Sequence, residues 1–539
     1  MVVGTSGGDI YAFNEKKEVD DKRKVVKAHT GAVVSMAEGG KKCMFLVSGG
    51  KDGIVKLWTQ DLQPMSSFDV TRHVAIEKTI GAIDVRPTYE EISMGPTSGN
   101  AGEDASLRLL IGTYGGEIIE LSSTNKAVRN ETNGETRNLD ISNETASATI
   151  LLHSHYSGEL WGLAVHPHDP DIIATVGDDS TLRIWSIQKN AMLRAEQVGW
   201  ASRSVAWHPS GGVLAVGLYE TVKGGLAKGG ASKGGKKGPA KPVDTAEALP
   251  NGAVHIYSIK IAYQNGSPMV LDVKRRASGC PSVAWIQEIK FSPSGDMLAA
   301  GSHDKKIYAY DLKPFIVPEE YWDQTYKETY KDQQQPASSG VVKEEDKWKD
   351  WESSLKSEHF VFNKHSSAIL HFDFSIDGKY MQSNCQAYEL LFLTTRKYIT
   401  ENKKEMKPGD QETSASKFAD YNAPLSSKED SSGWFSQTCK LGWPVVGIWA
   451  PGAGSGDVNS VDRDSSGKLL ATADDNGQVK IFRYPVAQDN SKFLSYGGHS
   501  SHVTNVRFTS GIHSKTGHKN LVSVGGNDKC MFVWEVEDI

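Results

Sequence analysis

Apolar residues in this chain fall in short runs that alternate with small or polar neighbours, and turn residues separate the runs. In Leu160-Trp161-Gly162-Leu163-Ala164-Val165, Leu163 and Val165 keep the period of two expected of a half-buried strand. His166-Pro167-His168-Asp169-Pro170 ends that strand, because proline has no amide hydrogen to give to a ladder. Ile172 to Val176 form the next run, Asp178-Asp179-Ser180 supply turn chemistry, and Leu182, Ile184 and Trp185 close the unit. The pattern predicts three short strands joined by turns.

The unit recurs from end to end. Copies run from His29 to Trp58, from Ile80 to Leu121 in degenerate form, and from His155 to Trp185. Others run from Ser204 to Tyr257 around an interruption, Ile289 to Tyr310, His365 to Leu393, Val458 to Phe482 and His499 to Trp534. Met1 to Phe13 reads as the second half of a unit, which suggests a chain missing its N-terminal part. One small sheet cannot bury both of its faces, but a ring of such sheets can. The fold class is therefore all-β, a WD40 β-propeller. Asp52, Asp179, Asp304 and Asp528 each lie six residues before an aromatic residue, Trp58, Trp185, Tyr310 and Trp534. At that spacing a carboxylate can bond turn amides of its own blade. His29, His155, His365 and His499 are expected to join that network. Recurrence around a ring favours a structural role for these pairs over a catalytic one.

Polar insertions interrupt the pattern at 222–250, 314–364 and 400–433, and a further Asn-, Thr- and Glu-rich loop is expected over 125–148. The first carries Lys223, Lys228, Lys233, Lys236, Lys237 and Lys241 among glycines and no acid over 223–242. Such a segment suits mobile, salt-sensitive contact with an acidic surface. Gly235-Lys236-Lys237 lacks the Ser or Thr of a phosphate loop, so nucleotide binding is rejected there. In the second, Trp348, Trp351 and Leu355 share one helical stripe. Two readings stand: the helix packs on its own propeller, or these residues anchor a partner.

Composition adds mostly exclusions. A net charge of −6 argues against a general nucleic-acid binder. Five cysteines without a Cys-x-x-Cys pair read as buried reduced thiols. No apolar run approaches the roughly 18 residues of a membrane span, and Met1 to Asp9 lacks the regions of a signal peptide. The sequons at Asn130, Asn143 and Asn265 are therefore expected to be unglycosylated. No Gly-x-Ser-x-Gly, His-Glu-x-x-His or metal-ligand cluster is present. The expectation is a protein that is not an enzyme, with no cofactor, no metal and no small-molecule substrate.

Some strings exceed what a blade requires. Trp434-Phe435-Ser436-Gln437-Thr438-Cys439-Lys440-Leu441-Gly442-Trp443, Gly456-Asp457-Val458-Asn459 and Ser500-Ser501-His502-Val503-Thr504-Asn505-Val506 resemble the echinoderm microtubule-associated protein-like family. Glu159 to Pro167, Gly301-Ser302-His303-Asp304 and His365-Ser366-Ser367 match it in the same order. The resemblance implies two joined propellers. On that template residues 1–72 are the terminal blades of a truncated propeller, and 73–539 form one complete seven-bladed propeller. A single eight-bladed ring is the alternative, and the pairing of Met1 to Phe13 decides between them. Ala387 and Leu393 stand where the family has an Asp and an aromatic, so bonding in that blade should be weaker. The resemblance further implies a microtubule-associated scaffold with tubulin, microtubules, cytoskeletal and axonemal proteins as partners. It implies a cytoplasmic, cytoskeletal location, with the axoneme of a cilium or flagellum as the specific case. A generic protein-interaction adaptor unrelated to microtubules is the competing reading.

Overall fold

The computed structural model describes the chain except residues 40–44, 75, 86–106, 124–127, 130–135, 138–139, 222–251, 313–320, 322–343, 401–403, 414–432, 450–456, 490, 513–516 and 538–539. Antiparallel sheets of three or four strands follow one another along the sequence. Central strands such as Ile172–Gly177 and Met297–Ser302 are buried at every position, because each has a neighbouring sheet on both faces. Outer strands such as Val19–Val25 alternate towards solvent.

The chain divides into two compact units, Met1–Tyr156 and Ser157–Ile539. Among the described residues the first holds three sheets of three or four strands, beginning with Val2–Gly4, Ile10–Phe13 and Val19–Val25, and a two-stranded pair of Val128–Arg129 and Thr136–Arg137. Ile10 and Ala12 pack beside Trp58 and Leu62 of the second sheet. The second and third sheets share one core, in which Val47, Val55 and Phe68 meet Ile80, Ile111 and Ile119.

The second unit is a ring of six sheets among the described residues. Their inner strands are Leu160–Val165, Trp200–Trp207, Ile286–Phe291, Ile369–Phe374, Val458–Arg463 and Val503–Ile512. The last sheet meets the first: Leu160 N–H donates to Gly526 O at 3.1 Å, and Thr504 Oγ1 to Leu160 O at 2.7 Å. Val522 and Val524 complete the seam against Leu160, Ile173 and Trp185. The division thus falls between 156 and 157, not between 72 and 73. Among the described residues six sheets close this ring, not seven, because the sheet begun by Ile80 buries its face on the preceding one. Met1 to Phe13 does not pair with the sheet ending at Trp534, so a single eight-bladed ring is also excluded.

Two expected insertions contribute to blades. Phe360–Phe362 is the outer strand paired with Ile307–Asp311, and Gln411–Glu412 is the outer strand paired with Leu390–Thr394. The helix Glu344–Ser354 packs on its own ring: Trp348, Trp351 and Leu355 are 3%, 1% and 2% exposed. All three lie in a core with Phe291, Leu298 and Tyr310. These side chains are therefore not partner anchors, because the stripe that makes the helix amphipathic is already spent on the sheet beneath it. Val254–Gln264 and Ser267–Gly279 form a long hairpin around Asn265-Gly266, both in the left-handed conformation that this turn requires.

Candidate functional site

The repeated polar residues come first, because they set the rigidity of the ring. His29 Nδ1 bonds Asp52 at 3.0 Å, and its Nε2 bonds Ser48 Oγ at 2.7 Å. The same Ser48 Oγ accepts from Trp58 Nε1 at 2.8 Å. His499, Asp528, Ser523 and Trp534 repeat the arrangement at 3.1, 2.8 and 2.9 Å. Gly50 and Gly525 are required beneath these pairs: a Cβ on Gly525 would lie 2.1 Å from Asp528 Oδ1. Asp179 accepts from Thr181 N and Oγ1, and Trp185 Nε1 donates to Thr175 Oγ1. Asp304 accepts from Ser282 Oγ at 2.8 Å, in place of a histidine partner. His155 is buried at the end of the first unit.

The blade containing Ala387 is not weakened as expected. Glu389, two residues further on, takes the Asp role: it accepts from Ser366 N at 2.9 Å and pairs with His365 at 3.3 Å. His365 Nε2 bonds Ser383 Oγ at 2.8 Å. Cys385 occupies the strand position held elsewhere by Gly50 and Gly525. Its side chain fills the space of an Asp carboxylate, so a carboxylate on a longer stem reaches in from outside. His365, Cys385 and Glu389 thus bring three potential metal donors within 4.8 Å, at a position that serves blade bonding in the other sheets. Cys280 and Cys530 are exposed thiols, not buried ones; Cys385 and Cys439 are buried.

The His-Pro turns after the inner strands latch neighbouring blades. His166 Nε2 bonds Gly211 O at 3.0 Å, and His208 Nε2 bonds Gly295 O at 3.2 Å. A carbonyl partner requires the proton on Nε2, which leaves Nδ1 to accept from Asp169 N and Ser210 N. Burial pushes His166 down to about 3 and His208 down to about 4. Both are neutral at physiological pH.

The inner strands of the ring surround a cavity of about 800 Å³. One side of it is a buried charge network. Asp373 accepts from Thr438 N and Cys439 N at 3.0 and 2.9 Å and pairs with Lys290 at 3.1 Å. The Thr-Cys-x-Leu-Gly string is thus wrapped around one carboxylate. Val445 and Ile448, further along the same segment, pack on the next sheet. Glu288 accepts from Phe372 N at 2.8 Å and pairs with Lys290 at 3.2 Å. Burial opposes ionisation of Glu288 and Asp373, but Lys290 and, for Glu288, His371 and Arg507 outweigh it. Glu288 is held at about 2 and Asp373 lower still. Burial pushes Asp462 up to about 6, against Arg507 and the Phe508 N–H it accepts.

Another part of the lining carries an aromatic cage. The guanidinium carbon of Arg203 lies 3.8 Å from the ring centre of Trp161 and 4.3 Å from that of Tyr219. Trp285 stands 5.5 Å away and lies tilted against His303, with ring centres 4.0 Å apart. Burial, and then Arg203 itself, lower His303 to about 4, so Arg203 is the cation here. No sequence pattern singled out Arg203, Tyr219 or Trp285. The only available signal was an arginine in the middle of an inner strand otherwise lined by Ser204, Val205 and Ala206. The six lysines from Lys223 to Lys241 lie outside the described residues.

Residues 349–536 match the family model of the echinoderm microtubule-associated protein second β-propeller. Residues 21–59, 147–186 and 278–311 match the WD domain, G-beta repeat. The chain is 28% identical over 541 residues to the 77 kDa echinoderm microtubule-associated protein of Strongylocentrotus purpuratus, covering 99% of this chain and 56% of that protein. It is 26% identical over 538 residues to human echinoderm microtubule-associated protein-like 2, covering 99% and 59%. It is 27% identical over 407 residues to human echinoderm microtubule-associated protein-like 3, covering 75% and 33%. The chain spans a little over half the length of the first two relatives. Sheets and matched repeats together define a WD-repeat β-propeller protein. Within that class the chain is similar to the echinoderm microtubule-associated protein-like family, most visibly in the strings from Trp434 to Val506.

Proposed function

We propose that this chain is a non-enzymatic scaffold that associates with microtubules or ciliary doublets and with proteins bound beside them. The observation that carries this reading is the resemblance, along 99% of the chain, to a protein named for microtubule association. The physical chemistry of the blades supports it. Their histidine and carboxylate pairs are consumed in bonds within and between sheets, which suits a rigid frame presenting loops. The lysines of 223–242 supply a complementary charge for an acidic lattice.

The full chain should co-pellet with polymerised tubulin, and the bound fraction should fall as ionic strength rises. No enrichment over a control propeller would overturn the proposal. Deleting 223–242 should weaken pelleting; an unchanged bound fraction would remove the lysines from the contact. Proximity labelling in ciliated cells should return axonemal proteins, and a profile without tubulin would favour an adaptor unrelated to microtubules.

A further inference from the structure

Arg203 is the unusual cation of the ring. Among the described residues its side chain makes no ion pair, and its buried Nε has no hydrogen-bond partner. The adjacent Trp161 Nε1 is also buried and unpartnered. Asp178 feels the charge of Arg203, but its Oδ2 accepts from Glu159 N at 3.1 Å and it forms no ion pair with the guanidinium. The other lysines and arginines of the cavity are committed: Lys290 to Asp373 and Glu288, Arg507 to Ser460, Lys440 to Val458 O, and Arg463 to Trp434 O. Among the described residues the cavity therefore keeps one guanidinium with neither an ion pair nor a hydrogen bond, held between aromatic faces at 3.8 and 4.3 Å.

That geometry selects a ligand. Rings over the faces of a guanidinium leave only its planar N–H edge open. An edge of that kind matches a planar carboxylate, which can accept two parallel bonds while its methylenes rest on Trp161 and Trp285. A phosphate dianion would need a second free cation, and none of the described groups beside Arg203 provides one. A space of about 800 Å³ is larger than a single amino-acid side chain needs, so it takes an extended stretch of chain. We propose that the Arg203 cage is a receptor for a glutamate or aspartate carboxylate of an acidic peptide segment entering the ring from a partner protein. The inference rests on reading the ring as a protein-binding surface and names the chemistry of the partner at one point.

The test uses the full chain and fluorescein-labelled hexaglutamate, followed by anisotropy, with hexaglutamine as the uncharged control. Hexaglutamate should bind at least about tenfold more tightly than hexaglutamine, the size of one charge-assisted contact. Arg203→Met, which keeps the stem, and Arg203→Lys, which keeps the charge but not the plane, should each weaken binding by a similar factor. Binding by both variants within twofold of the parent would overturn the proposal, as would equal affinity for hexaglutamine. Displacement of the peptide by an equal concentration of inorganic phosphate would also overturn it. Should the variants fail to fold, hexaglutamate should protect Arg203 of the unaltered chain from phenylglyoxal, read by peptide mass; an unprotected Arg203 would be decisive against the proposal. Co-pelleting with microtubules is scored separately. Peptide binding without pelleting would fail the proposed function and leave this site standing, and pelleting without peptide binding would do the reverse.

Discussion

At the scale of single residues, the ring is held by histidines that must stay neutral. His208 reaches the next blade through Nε2 while its Nδ1 accepts from Ser210 N. Protonating Nδ1 would turn an acceptor into a donor facing another donor. The unfolded imidazole titrates near 6.5 and the folded one near 4, so the unfolded state binds more protons between those values. The stability this group supplies is complete above pH 6.5 and is lost as pH falls towards 4. At pH 5 the loss is about 2 kcal/mol for one such histidine. His166 acts in the same direction, with its folded value near 3. Denaturant titrations at neutral and acidic pH should show that His208→Gln has a shallower pH dependence than the parent over this window. A parallel pair of curves would show that His208 does not supply the slope.

At the scale of elements, the helix Glu344–Ser354 shows how an amphipathic stripe is used. The spacing of Trp348, Trp351 and Leu355 was legible in the sequence, and so was the choice between two surfaces. The choice itself required the sheet beneath. Trp351 approaches His208 and Phe291, and Trp348 meets Tyr321 with ring centres 5.6 Å apart. Trp351→Ala should cost about 3–5 kcal/mol, because it opens a cavity in a packed core. Asp350→Ala, on the exposed face, should change stability by no more than about 0.5 kcal/mol. Equal and small effects for both, measured by urea unfolding, would mean that the helix is not part of that core. Glu389 makes the complementary point: its role was hidden because a carboxylate at the wrong position becomes useful only when Cys385 displaces the usual one.

At the scale of the whole molecule, the position of the unit boundary has a direct experimental consequence. A fragment of residues 157–539 contains all six inner strands of the closed ring and should unfold in one cooperative transition. A fragment of residues 73–539 would carry the sheet begun by Ile80 without the face that covers Ile80, Ile111 and Ile119. It should bind a hydrophobic dye and self-associate, as exposed apolar patches of that kind do. A clean monomeric 73–539 with no dye binding would show that this sheet does not need its neighbour.

The sequence by itself determined the strands, the turns, the repeating unit, the amphipathic helix and the family resemblance. Each is set by residues a few positions apart, through period-two alternation, turn chemistry and bonds such as that from Trp58 to Ser48 across adjacent strands. Only the tertiary structure decided how many sheets close the ring and where its cation lies. The closing bond joins Thr504 to Leu160, 344 residues apart. The Arg203 cage is assembled from the inner strands Leu160–Val165 and Trp200–Trp207 together with Tyr219 and Trp285. No local pattern encodes such contacts, because they depend on the rotation accumulated from sheet to sheet around the ring.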